Sequence, residues 1–165
     1  MLAHARSLAW LATAVWLSGC DQSSGVDVSN TVASVLPATE SSKDFGDYVV
    51  YFNALKTDQL TPEVAGEYGI VRSKSRALLN VSIHRKEDGG RTKAVTGAVA
   101  ASAINLTGQL KQMTLREIPE GEAIYYIGEL AITDTEVLIY TIDMRPANEL
   151  SDFAVRFKKQ FFVEQ

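Results

Sequence analysis

Few residues in this chain of 165 have the type and spacing that chemistry requires. Cys20 is the one cysteine, and a cysteine thiolate is a strong nucleophile. His84 is one of two histidines and the one outside the N-terminal segment. As a general base it would need a nucleophile and an orienting acid, and as a metal ligand it would need partners. No carboxylate follows it until Glu87 and Asp88, and Asn80 and Ser82 share its strand face, so the simple reading is a histidine turned to solvent. Glu117, Glu120 and Glu122 flank a Pro-Gly turn without calcium-loop spacing and read as an exposed acidic turn. Arg72, Lys74, Arg76, Arg85, Lys86, Arg91 and Lys93 gather around one hairpin. Such charges usually guard a sheet edge against aggregation. On a shared edge, Arg72, Lys74, Arg85 and Lys86 would instead form a contact surface for an acidic partner or anionic lipid. Gly-rich phosphate loops, G-x-S-x-G, H-E-x-x-H and Cys-rich metal patterns are all missing, so no cofactor, metal or catalytic set is expected.

The chemistry of Cys20 is the most specific. Met1–Arg6 carries one fixed positive charge, Ser7–Leu17 is apolar, and small residues follow, the layout of an export leader. The apolar run is about half the roughly 20 residues of a membrane-spanning helix. Leu17-Ser18-Gly19-Cys20 resembles the lipobox of bacterial lipoproteins. That resemblance implies diacylglyceryl transfer to the Cys20 thiol, cleavage between Gly19 and Cys20, and fatty acylation (palmitate type) of the new amine. Two or three acyl chains give stable anchoring where one is marginal. Asp21 resembles the enterobacterial inner-membrane retention residue, so the periplasmic face of the inner membrane is favoured and the outer membrane stays open.

Residues 1–19 are thus expected to be a leader, 20–44 a lipidated cysteine with a flexible tether in which Val32, Val35 and Leu36 pair weakly with the domain, and 45–165 one domain. Of 16 Lys and Arg, Arg6 leaves with the leader, so 20 acidic residues face 15 basic ones and the mature charge is −5. That balance disfavours nucleic acid, whose binding depends on basic groups. With Cys20 acylated no disulfide is possible, and the core must hold the fold unaided.

From Phe45 onward the apolar period is two. Strands are expected around Tyr48–Ala54, Ala77–His84, Ala94–Leu106, Met113–Leu115, Ile124–Ile132, Leu138–Met144 and Phe153–Val163. Thr61-Pro62 opens a short helix ending near Gly66, and Asp88-Gly89 supplies a hairpin turn. Pro119-Glu120-Gly121 ends the Met113–Leu115 strand. The apolar phase of Val95, Gly97 and Val99 is opposite to that of Ile104 and Leu106, which predicts a bulge near residues 100–103. The small residues at 97–103 fit either a shallow cleft or close sheet packing. Alternating strands argue for an all-β fold, an antiparallel sandwich of about seven strands, immunoglobulin-like in outline, with one short helix. An open barrel is the alternative.

Tyr51-Phe52-Asn53-Ala54-Leu55, Leu60-Thr61-Pro62-Glu63-Val64-Ala65, Tyr68-Gly69-Ile70-Val71-Arg72-Ser73-Lys74 and Leu79-Asn80-Val81-Ser82-Ile83 together resemble a proteobacterial family catalogued as domain of unknown function 4426. The resemblance implies an exported β domain and brings no activity. Asn53, Tyr68, Arg72 and Lys74 belong to its motif and read as ties between helix and sheet. The expectation is a non-catalytic, lipid-anchored periplasmic module that binds a periplasmic or inner-membrane protein or aids an envelope complex. A binder of a small ligand or lipid in a sandwich cleft, or a hydrolase using His84, are the alternatives.

Overall fold

The computed structural model describes residues 34–37 and 39–163. The leader, Cys20 and most of the expected tether lie outside the described residues. Among the described residues there are eleven strands: β1 (Val35–Leu36), β2 (Ser42–Asp44), β3 (Tyr48–Lys56), β4 (Arg76–Lys86), β5 (Thr92–Ala94), β6 (Gly97–Asn105), β7 (Leu110–Met113), β8 (Arg116–Glu120), β9 (Ala123–Ala131), β10 (Val137–Pro146) and β11 (Phe153–Gln160). One helix, α1 (Pro62–Glu67), follows a 3-10 turn at Thr57–Gln59. The strands form two sheets, β1-β11-β10-β6-β7 and β2-β3-β4-β9-β8, with β5 added beside β4. Every pairing is antiparallel except β1 with β11. The class is all-β and the architecture a sandwich.

Alternation builds the core. Val50 and Phe52 of β3, Leu79, Val81 and Ile83 of β4, Leu138, Tyr140 and Ile142 of β10, and Val155 and Phe157 of β11 pack between the sheets. Each such apolar side chain contributes about 1.5–3 kcal/mol when buried. Phe157 stacks on Tyr140 at 4.9 Å between ring centroids and tilts against Phe52 at 4.8 Å. The Tyr140 hydroxyl is buried among these carbons without a hydrogen-bond partner, and burial pushes its pKa up. An unpaired buried hydroxyl is a cost to the fold. Tyr140→Phe should therefore leave stability unchanged or raise it by up to about 1 kcal/mol in urea denaturation. A loss larger than that would reveal a partner for the hydroxyl.

Four strands exceed the seven expected, and all four are short. β1 and β2 fall in the segment expected to be tether, and Val35 and Leu36 of β1 pair with Arg156 and Phe157 of β11, as expected of those two residues. β2 reads Ser-Lys-Asp, which has no apolar alternation, yet it pairs with Val49–Tyr51, and Lys43 reaches the Ala154 carbonyl at 3.2 Å. At each lateral side the chain crosses between sheets: β1 to β2 on one, β7 to β8 on the other. Short outer strands of this kind leave little free edge for pairing with another chain. The Pro119-Glu120-Gly121 turn closes β8, with Pro119 inside that strand, and not the expected Met113–Leu115 strand, since β7 ends at Met113. Proline is tolerated there because β8 is an outer strand.

The bulge expected at 100–103 does not form. β6 runs in unbroken register with β10 from Gly97↔Pro146 to Asn105↔Leu138. Ala103 is buried and Leu106 is exposed, so Ile104 and Leu106 keep their parity on the outer face. Close packing, the second reading of residues 97–103, holds at Gly97, whose missing side chain would meet the Arg145 carbonyl at 2.5 Å. The β4–β5 turn is at the expected place, with the positive φ carried by Gly89 (79°) and Gly90 (78°).

Candidate functional site

The outer face of the β2-β3-β4-β9-β8 sheet carries the concave surface of interest. Thr61 caps α1 by accepting from the Val64 backbone N–H at 3.3 Å, and Pro62 occupies the first turn. This is the geometry those residue types favour. Ala65 of the helix and Ile70 just after it cover Leu78 of β4 and Ile127 of β9, a second small core on the solvent side of the sheet. Between α1 and the sheet a cleft of about 230 Å³ remains open, walled by Leu60, Val64, Leu78 and Ile118. Its polar groups are Asn80 and Glu120, with Tyr68 and Tyr125 as aromatic walls. The Tyr68 hydroxyl donates to the Glu120 carboxylate, which pushes the Tyr68 pKa up to about 12, so the phenol keeps its proton at neutral pH. Arg116 donates to the Tyr68 carbonyl. The Asn80 Oδ1 atom is covered and accepts no hydrogen bond.

A second, shallower depression continues the cleft along the same face. It shares Asn80 and Tyr125 with the first and adds Tyr51, Asn53, Ser82 and His84. His84 is half-buried there, with the Tyr51 ring edge-on at 5.0 Å. Its ring is not turned freely to solvent, as the sequence suggested. Ser82 is 5% exposed and donates its hydroxyl proton to the Ile124 carbonyl at 2.8 Å. It therefore accepts from His84 Nε2–H at 2.9 Å, and His84 Nδ1 accepts from Thr92 Oγ1 at 3.2 Å. Burial holds the His84 pKa below its ordinary value, so the ring is neutral at pH 7. A base must accept the proton of its nucleophile. Here the imidazole donates to Ser82 and no acid orients it, so the pair does not assemble hydrolase machinery.

The four basic residues considered as one surface are not brought together. Arg72 and Lys74 precede β4, whereas Arg85 and Lys86 end it. The ten steps from Arg76 to Lys86 span about 33 Å at about 3.3 Å each. Arg72 Nη2 donates to the Asp58 carbonyl at 2.8 Å and ties the loop after α1 to the 3-10 turn, the structural role expected of that motif residue. Lys86 pairs with Asp44 at 2.5 Å, which holds the Asp44 carboxyl below its usual range. Glu117 accepts from the Tyr126 hydroxyl at 2.9 Å, and Glu120 holds Tyr68, so two of the three acidic residues have structural partners. The described residues contain no group of three or more His, Cys, Asp and Glu placed to hold a metal. Asn80 and Tyr125 were missed as site residues. Leu78, apolar on a face otherwise made of Asn80, Ser82 and His84, was the available signal that something covers that face.

The family described as Domain of unknown function (DUF4426) matches residues 42–164, and this chain belongs to it. A DUF4426 family protein from Pseudomonas aeruginosa PAO1, known by crystallography, shares 33% identity at a TM-score of 0.64. The match covers 75% of this chain and 95% of that one. FetP of uropathogenic Escherichia coli strain F11, recombinantly expressed in the periplasm, matches at 12% identity and a TM-score of 0.55 over 75% of this chain and 94% of its own. A copper-bound variant of FetP matches at 12% and 0.54, covering 73% and 93%. At that identity the likeness to FetP is one of fold. No curated protein matches the chain.

Proposed function

We propose that this protein is a non-catalytic module of the bacterial envelope, lipid-anchored at Cys20 to a membrane facing the periplasm, that binds a polypeptide partner through the outer face of the β2-β3-β4-β9-β8 sheet. The observation that carries this reading is the cleft under α1, whose apolar walls remain open on a face where Ser82 and His84 are spent on structural hydrogen bonds. A concave apolar site with a few polar groups is the usual form of a recognition site. The leader and lipobox pattern of residues 1–20 supports export and anchoring, and Asp21 favours the inner membrane. Among the described residues no helix is long and apolar enough to cross a membrane. The contact is placed on the sheet face because the sheet edges are short and the basic residues are divided. Copper, which the FetP variant holds, is not carried over: His84 is the sole histidine past the leader, and its ring nitrogens are engaged by Ser82 and Thr92.

A photo-crosslinker at Tyr51, exposed on this face, should give one discrete adduct in cells, whereas the same group at Ala100 on the opposite sheet should give none. Val64→Glu, at the mouth of the cleft, should reduce the Tyr51 adduct about tenfold. Cys20→Ser should reduce it as well, by removing the confinement to the membrane. Equal adducts from Ala100, or an adduct indifferent to Val64→Glu, would move the contact elsewhere.

A further inference from the structure

The polar lining of the cleft carries one charge, that of Glu120. Asn80 Oδ1 is an acceptor without a donor, an arrangement that is costly in a folded protein. Glu120 accepts from Tyr68, but a carboxylate has about four lone-pair sites and most remain open. Glu67 adds to the negative field at the Tyr68 hydroxyl. No lysine, arginine or histidine lines the cleft. Tyr68 and Tyr125 also line it, and an aromatic ring attracts a cation placed over its face. A carboxylate and aromatic rings among apolar walls are complementary to a long apolar stem ended by a cation.

The geometry points to the side chain of a lysine, carried by a polypeptide partner, as the occupant of the cleft beneath α1. This inference rests on the binding reading above and names its chemistry. The four methylenes pack against Leu60, Val64, Leu78 and Ile118, and the ammonium reaches Glu120. A polypeptide is favoured over an amine-bearing lipid headgroup for two reasons. The headgroup would bring its phosphate toward the Glu120 carboxylate. The cleft also opens, through Asn80 and Tyr125, into the depression at Asn53, Ser82 and His84. From Leu78 to His84 that face runs about 20 Å, the length of an extended segment of about six residues.

The test uses the full chain carrying Cys20→Ser, titrated with acetylated, amidated Gly-Gly-Lys-Gly-Gly and its norleucine counterpart and followed by amide NMR shifts. The lysine peptide should saturate with a Kd in the millimolar range, shifting Asn80 and Tyr125, and norleucine should bind about tenfold more weakly. Glu120→Gln keeps an acceptor for Tyr68 and should weaken the lysine peptide about fivefold while leaving norleucine unchanged. Equal binding of norleucine, or indifference to Glu120→Gln, overturns the lysine assignment while the Tyr51 adduct preserves the binding face. Larger shifts with phosphatidylethanolamine vesicles than with the peptide overturn the polypeptide source. Absence of both peptide shifts and the Tyr51 adduct removes the binding reading itself.

Discussion

Replacing Gly97 by alanine should destabilise the domain by about 3 kcal/mol and lower its Tm by about 10 °C. Gly97 opens β6 opposite Pro146, the last residue of β10. A Cβ there would stand 2.5 Å from the Arg145 carbonyl oxygen and 3.1 Å from the Pro146 Cα. Both are backbone atoms, so relief requires β6 and β10 to part. The Gly97 N–H donates to the Tyr126 hydroxyl at 2.8 Å, which in turn donates to Glu117 at 2.9 Å. Moving β6 breaks this link between the sheets and leaves a buried phenol with one partner fewer. The added methyl would also lie 3.1 Å from Ile83 Cδ1, yet Ile83→Val should not rescue the variant, because the backbone clash persists. Gly66 in α1 is the control: a Cβ there meets nothing within 4 Å, so Gly66→Ala should be neutral or stabilising by about 0.5–1 kcal/mol. A Gly97→Ala loss below about 1 kcal/mol would mean that the two strands yield more easily than their register implies.

The long strands were legible because one face of each is buried and the side-chain period is two. Leu79, Val81 and Ile83 face the core as their spacing predicts, and so do Tyr126, Leu130 and Ile132. The short strands β2, β5 and β8 were not, because each is held by a neighbour's backbone and not by an alternating pattern of its own, whereas the pairing of Val35 and Leu36 in β1 was expected. Ile104 misled for a related reason. An apolar residue on the outer face of a sheet is common, and parity alone does not separate it from a bulge. The site was harder still. Thr61 and Pro62 announced α1, but which sheet face it would cover depends on the loop through Ile70 and Arg72, and so does the fate of Leu78 and Ile127. The charge cluster failed on distance: a strand of eleven residues places its two ends too far apart for Arg72 and Lys86 to act together.

The ion pair of Glu136 and Lys111 was invisible in the sequence, since its parts come from three separate segments, and it should govern the response of the fold to acid. Glu136 is 9% exposed, in the turn before β10. Its carboxylate takes Lys111 Nζ from β7 at 2.6 Å, the Thr133 N–H at 3.0 Å and Asn105 Nδ2 from the end of β6 at 3.2 Å. Its backbone carbonyl accepts from the Phe161 N–H at 2.8 Å, so the same residue also fixes the end of β11. Burial pushes the Glu136 pKa up, but the bonds from Lys111, Thr133 and Asn105 outweigh it and hold the carboxyl below its ordinary 4.5. A carboxyl depressed on folding lends stability that is fully present above its unfolded pKa and is lost as pH falls through the folded one. Glu136→Gln should therefore cost about 3 kcal/mol at pH 7, because the largely buried Lys111 ammonium is left facing an amide. The gap between wild type and variant should hold down to about pH 5 and narrow below the ordinary value of 4.5, as the wild-type carboxyl takes up its proton. Adding Lys111→Met should recover part of the loss at pH 7, since removing both charges is cheaper than stranding one. Urea denaturation of the four proteins at pH 7, 5 and 3.5 checks both statements. A gap that stays constant to pH 3.5, or a double variant weaker than the two single losses combined, would show that Glu136 acts through its backbone bonds and not its charge.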